Sequence, residues 1–518
     1  MKHFFLALSA LALGGAGHAV AQALPDRYRA DVFSSVTTTR SVVFSTSIPQ
    51  VSTVGILGGG QIANEETYGA VRVTLRMDIY QPEGDTLSKR PVIIFCFGGG
   101  FVAGQRTAPD MVALAQAFAR RGYVTAAIDY RLGINLTDPE KAKRAVYRAI
   151  QDSRSAVRFF RNNAATYRVD PNQVFVSGHS AGGFVAYHNV YLDKESERPA
   201  STFAQGRLAD LGTLDAVGDN QTDARGNPVS GKANGAMGFA GALADLTLVE
   251  GPSDAPVSLF HSSDDRTVLI NTGEPFTDIN FLLGINLPIS SGANPISARA
   301  SAVGAPHVLY AYTNRGHNVH YNSRTGSLYS DIAPRGSVFF YDTRLKPAAA
   351  TIAGPTTVCP SALTQTYTMS GGAAYYDYQV AGGTIQSRNP RRNTVTVAWS
   401  RTATTRTLTV TPYSRQLAQG APVRLSVTTG ACTSAAALVA SVYPNPTTDA
   451  LRVQLNPAAA AGPVSMTLVD TYGRVVPAPV GASSPTEHTL DLSGLPAGFY
   501  LLRISTAGQA VMQRVEKR

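Results

Sequence analysis

The chain has 518 residues, of which 44% are apolar and 15% charged, with a formal net charge of +10. That gives room for two to four domains and is the balance of a folded chain, not a disordered one. The basic residues form no run of five or more. Nucleic-acid binding is therefore a poor inference, and the charge bears instead on solubility and adhesion.

At the N-terminus, Lys2 and His3 precede an apolar stretch from Phe4 to Leu13, and Ala19-Val20-Ala21 offers a small-residue cleavage site. This layout predicts a signal peptide over residues 1–21. Its apolar stretch is too short to span a bilayer. Residues 24 to 70 read as strands and loops. From Arg72 to Tyr80, Val73, Leu75, Met77 and Ile79 alternate with Arg72, Thr74, Arg76 and Asp78. That is the period of a half-exposed antiparallel strand.

Pro91 to Phe97 is continuously apolar, the mark of a strand covered on both faces. Helical spacing follows over Pro109 to Arg121, with Gly122 as a stop, and Tyr123 to Asp129 is a second buried strand. Asp138 to Asn163 predicts a long amphipathic helix. Val174 to Val176 predicts a strand leading into Gly178-His179-Ser180-Ala181-Gly182-Gly183, and residues from Phe184 on are compatible with a helix. Lys194 to Lys232 is polar and weakly periodic, either a cap over a site or a disordered insertion. Asp215, Asp219 and Asp223 lie in it, but at a spacing that fits no EF-hand. Strands resume at Ala236 to Phe239, Val257 to His261 and His307 to Tyr312, and a closing helix at Val338 to Tyr341 ends the domain near Pro347.

Strand–helix alternation predicts an α/β domain over 24–347, a mostly parallel sheet flanked by helices with functional loops at the strands' carboxyl ends. Composition then shifts to Thr, Val, Tyr and Gly. Alternating segments such as Thr394 to Trp399 predict two small all-β sandwich domains, over 351–433 and 441–518. Of three cysteines, Cys96 falls in a buried strand. Cys359 and Cys432 bracket the first sandwich and are expected to pair in an oxidising compartment.

The Gly-x-Ser-x-Gly segment sits where a nucleophile elbow requires it, between strand and helix. The fold's order then places an acid and a histidine further on. Asp265, with Asp264 in reserve, follows one buried strand; His317, with His320 in reserve, follows the last. His317 would take the Ser180 proton and Asp265 would hold its tautomer. Gly98 to Gly100 offers N–H groups for an oxyanion, joined by that of Ala181.

This set resembles the α/β-hydrolase fold, and within it the carboxylesterases related to hormone-sensitive lipase, over roughly residues 70 to 345. The resemblance implies Gly99, Gly100 and Ala181 as the oxyanion hole, Phe97, Phe101 and His179 against the substrate, and no metal or cofactor. Asp129-Tyr130-Arg131-Leu132 also matches the family. Phe97 departs from it, standing where the family has histidine. Cys359, Gly382-Gly383-Thr384-Ile385 and Trp399 resemble a PKD-like immunoglobulin sandwich. Tyr443-Pro444-Asn445-Pro446, Asp470-Thr471-Tyr472-Gly473-Arg474 and Leu495 to Tyr500 resemble the sorting domain of the type IX secretion system. Together these imply a secreted or surface-attached serine carboxylesterase, with a small or polysaccharide-linked ester as substrate and the type IX machinery as partner. A peptidase of the same fold and an inactive adhesion module are the alternatives.

Overall fold

The computed structural model describes residues 26–56, 59–276, 284–321, 328–430, 438–457, 463–481, 484–506 and 510–518. The expected signal peptide, residues 1–21, and Cys432 lie outside the described residues.

Eight strands form the main sheet: β1 (Val36–Gln50), β2 (Val71–Pro82), β3 (Arg90–Cys96), β4 (Val124–Ile128), β5 (Val169–His179), β6 (Ala236–Phe239), β7 (Val257–Ser262) and β8 (His307–Tyr312). Their spatial order is β1-β2-β4-β3-β5-β6-β7-β8. The first two are antiparallel to their neighbours, and the other six run parallel. The residue pattern explains that split. β2 alternates between exposed and buried positions from Thr74 to Met77 and is buried from there to Tyr80, Asp78 included, whereas every residue of β3 and β4 is buried.

Helices α1 (Pro109–Arg120), α2 (Pro139–Asn162), α3 (Ala181–Tyr191), α4 (Ala293–Val303) and α5 (Ala333–Phe340) accompany the sheet. Asp138 starts α2 by accepting the N–H groups of Glu140 and Lys141 at 3.0 and 3.2 Å. Cys96 is fully buried in β3, and burial pushes its thiol pKa up. No described helix is long and apolar enough to cross a membrane.

The polar side of α2 is also buried. Arg144 and Arg148 converge on Glu65, with all three side chains fully enclosed. Arg131 pairs with Asp152 in the same way. The polar segment 194–232 packs along this helix. Arg154 and Arg158 bond Asp215, and Gln151 donates to the carbonyls of Leu211 and Thr213 at 2.9 and 2.8 Å. Asp219 accepts from Thr46, and Asp223 accepts from Asn227 in its own turn. The three aspartates therefore serve separate internal contacts.

By internal contacts the chain divides into two units. The first joins the residues up to Gly354 with Thr366–Val397 and Thr407–Ser426. Within it, Tyr28 Oη donates to the Gln416 carbonyl at 2.8 Å, and Gln416 Nε2 donates to Asp170 at 2.5 Å. The second unit includes Val427–Arg518. There, a three-stranded sheet (Val439–Tyr443, Ala450–Leu455, Glu487–Asp491) faces a four-stranded one (Val475–Val476, Ser465–Val469, Gly498–Ser505, Ala510–Lys517). Leu451, Val453, Leu490, Leu502, Ile504 and Val515 share the core between them. Cys359 is half-buried and is bonded to no cysteine among the described residues.

Candidate active site

β5 ends at His179 and α3 starts at Ala181, so Ser180 is the turn. Its φ is +54° and ψ −119°, a strained conformation for a side chain with a Cβ. The turn closes because its flanking glycines lack one. A Cβ on Gly182 would lie 2.0 Å from the Cys96 carbonyl oxygen, and one on Gly178 would lie 2.3 Å from that of Gly182. The Ser180 N–H is held by Phe239 at 2.9 Å.

Asp265 follows the end of β7. Its carboxylate accepts from His317 Nδ1 at 2.9 Å and from the N–H groups of Thr267 and Val268 at 2.9 and 3.0 Å. His261 Nε2 lies 3.2 Å from the same carboxylate. Burial opposes the Asp265 charge, but the bonds from His261, His317 and Val268 outweigh it and hold its pKa well below the usual carboxylate range. His261 is a member of this site that sequence reasoning missed. Its only local signal is its place at a strand end, four residues before the acid.

The reserve acid, Asp264, is exposed and does other work. It accepts from Ser262 Oγ and from the Gly316 N–H at 3.3 Å, bracing the loop that carries His317. The reserve histidine, His320, is fully buried and donates Nε2–H to Asp110 at 2.9 Å.

The glycine loop turns through φ of +123° at Gly99 and +61° at Gly100. Only glycine fits the first, where a Cβ would meet the Ala103 carbonyl at 2.1 Å. Phe97 lines neither of the two cavities at Ser180, contrary to its expected place against the substrate. Its ring stacks on Tyr130 at 4.2 Å, and Tyr130 Oη donates to its carbonyl at 2.8 Å. An aromatic stack and one hydrogen bond thus anchor the loop without a polar side chain at that position. Phe101 does line a cavity, with φ +59°.

Two cavities meet at Ser180. One, of about 520 Å³, is bordered by Ala181, Phe101, Phe184, Val268 and Phe276 and runs to a polar rim at Lys143, Glu197 and Asp245. Ser196 to Pro199, from the polar insertion, form part of its wall. The other is a more open groove of about 550 Å³, bordered by Gly98 to Gly100, Asp110, His179 and His317. Ser180 and His317 thus share the groove, and His317 is absent from the lining of the first cavity.

The sheet order and the elbow at the end of β5 define the α/β-hydrolase fold. Residues 77–278 match the BD-FAE family and residues 441–517 match the secretion system C-terminal sorting domain. The chain therefore carries an α/β-hydrolase domain that matches the BD-FAE family and a C-terminal segment that matches the secretion sorting domain. Neither match reaches residues 351–433.

Among curated proteins, the chain is 24% identical over 269 residues to Secreted lipase 5 of Gibberella zeae, covering 47% of this chain and 49% of the relative. It is 34% identical over 113 residues to Carboxylesterase NlhH of Mycobacterium tuberculosis, covering 22% and 33%. The chain thus spans about half or less of the length of these relatives. A solved structure of Thermogutta terrifontis esterase 2 aligns at 21% identity and a TM-score of 0.38, over 57% of this chain and 95% of that one.

Proposed function

We propose that residues 24–347 are a secreted carboxylic ester hydrolase working through an acyl-enzyme on Ser180. The observation that supports this most is that Ser180 and His317 border one groove while Asp265 holds the imidazole from behind at 2.9 Å. With Nδ1–H given to Asp265, His317 Nε2 carries the lone pair that takes the Ser180 proton. Attack on the ester carbon moves charge onto the former carbonyl oxygen. The N–H groups of Gly99, Gly100 and Ala181 stabilise that charge, each worth about 3 kcal/mol of barrier. His317 returns the proton to the leaving alcohol oxygen, the acyl-enzyme forms, and water repeats the sequence to release the acid.

The same stereochemistry assigns the two cavities. The leaving oxygen must be within reach of His317, so the alcohol occupies the open groove. The acyl group then enters the cavity of about 520 Å³ bordered by Phe101, Phe184 and Phe276. An open alcohol side suits a bulky alcohol such as a polysaccharide, and the apolar cavity suits an acyl group larger than acetyl. A feruloyl ester meets both conditions. The signal-like N-terminus and the sorting domain support passage through the type IX machinery to the cell surface or beyond. In this reading residues 351–433 form a β-sandwich between the two.

The test is a p-nitrophenyl ester series on wild type and Ser180→Ala. The substitution is expected to lower kcat on the order of 10⁴- to 10⁶-fold. Equal rates would instead make the chain a binding module. Across acetate, butyrate and hexanoate, kcat/KM is expected to rise roughly fourfold per added methylene. A series that falls from acetate onward would overturn the acyl assignment.

A further inference from the structure

The histidine beside the nucleophile and the one beyond His317 belong to a single cluster. Asp110, on the first turn of α1, accepts Nε2–H of His320 at 2.9 Å. The His320 ring lies between that of His179, at 4.3 Å, and that of Phe239, at 4.9 Å. His179 in turn places Nε2 3.0 Å from the main-chain carbonyl of His317. A carbonyl only accepts, so that nitrogen carries the proton and Nδ1 keeps a lone pair, 3.8 Å from Asp110. Gly98 leaves the room this requires, since a Cβ there would lie 2.9 Å from His179 Nδ1.

We infer that Asp110, His320 and His179 are positioning residues that clamp the His317 segment at both ends. One end is the 317 carbonyl, gripped by His179. The other is the 320 side chain, gripped by Asp110. His179 precedes Ser180 in the chain, so the clamp ties the strand that presents the nucleophile to the loop that presents its base. The loop needs such a tie, because it passes through left-handed φ values of +59° at both Asn314 and Gly316. Burial, with His320 and His317 alongside, holds the His179 pKa well below its ordinary value, so the strut stays neutral. This inference rests on the ester-hydrolase reading, and it gives His179 a second task at the groove it lines.

The test compares full-length wild type with His179→Leu, His179→Gln and Asp110→Asn. A base misplaced by a fraction of an ångström to an ångström lowers kcat by up to roughly 10²-fold. That loss is expected for His179→Leu with KM nearly unchanged. Glutamine, which retains an N–H near the Nε2 position, is expected to restore most of the rate. Asp110→Asn keeps the side chain's shape and weakens the far grip, so a smaller loss in kcat is expected there, and it replaces the leucine variant should that fail to fold. The low-field NMR signal of the His317–Asp265 proton is expected to shift or broaden in the same variants. Wild-type kcat and an unmoved proton signal in folded variants would overturn the clamp. So would a loss carried by KM alone, with kcat and the proton signal at their wild-type values, which would make His179 a substrate contact only. If wild type and Ser180→Ala turn over esters equally, the hydrolase reading fails and the NMR signal alone decides the clamp.

Discussion

The two units keep charge in different places. In the first, arginines from α2 are wholly enclosed: Arg144 and Arg148 on Glu65, Arg158 on Asp215. In the second, the space between the sheets is filled by leucine, valine, isoleucine and one tyrosine, and the buried polar side chains are few: Arg406, Thr447 and Lys517 among the described residues. A charge pair in a low-dielectric interior holds its partners to one geometry and is costly to break. Apolar packing is less directional and more forgiving. The unit that carries Ser180, Asp265 and His317 thus uses the more exacting kind of interior. Its ionic contacts from Arg154 and Arg158 to Asp215 hold the polar insertion against α2, and Ser196 to Pro199 of that insertion border the cavity of about 520 Å³.

That contrast is open to measurement. The largest effect is expected from Glu65→Ala, which strands two buried guanidinium groups and is expected to cost roughly 3–5 kcal/mol in chemical denaturation, with loss of ester turnover. A loss below about 1 kcal/mol would mean that water or another carboxylate compensates, and the contrast would weaken.

Next comes Leu451→Ala, in the core of the second unit, where the side chain is fully buried. It is expected to cost about 3 kcal/mol in that unit's transition and to leave kcat unchanged. A matching fall in activity would break the separation between the two regions.

The smallest effect is one of pH. Burial pushes the His188 imidazole down to about 4 from an ordinary 6.5, despite its bond to the Phe184 carbonyl. Between those values the unfolded chain takes up a proton that the folded chain refuses, so stability falls as pH falls. By pH 5 the first unit is expected to lose about 2 kcal/mol from this group. His188→Gln is expected to flatten that slope in denaturation curves taken at pH 7 and pH 5. An unchanged slope would place the sensitivity elsewhere.

What the residues alone determined was local and periodic. Alternation in Arg72 to Tyr80 and unbroken apolar runs in β3 and β4 separate the antiparallel part of the sheet from the parallel part, because a strand's period is set by how many of its faces are covered. The glycines around Ser180 mark the elbow, because no other residue fits so close to the Cys96 and Gly182 backbones. The order of serine, acid and histidine follows from the order of strands. The Asp470 to Arg474 segment was legible only as a resemblance to a sorting-domain motif; the structure makes it a turn, in which the Asp470 carboxylate accepts the N–H groups of Tyr472 and Arg474 and Gly473 takes φ +81°.

Only the tertiary structure decided between neighbours and joined distant partners. Asp264 and Asp265 are indistinguishable by type. Burial beside His317 and His261 singles out Asp265, while Asp264 faces water and braces the loop. Phe97 reads as a substrate contact until Tyr130 takes its ring. Asp110 meets His320 across 210 positions of chain, and Glu65 meets Arg148 across 83. Such pairings leave no periodic trace, because they depend on where the sheet brings two loops together and not on any spacing along the polypeptide.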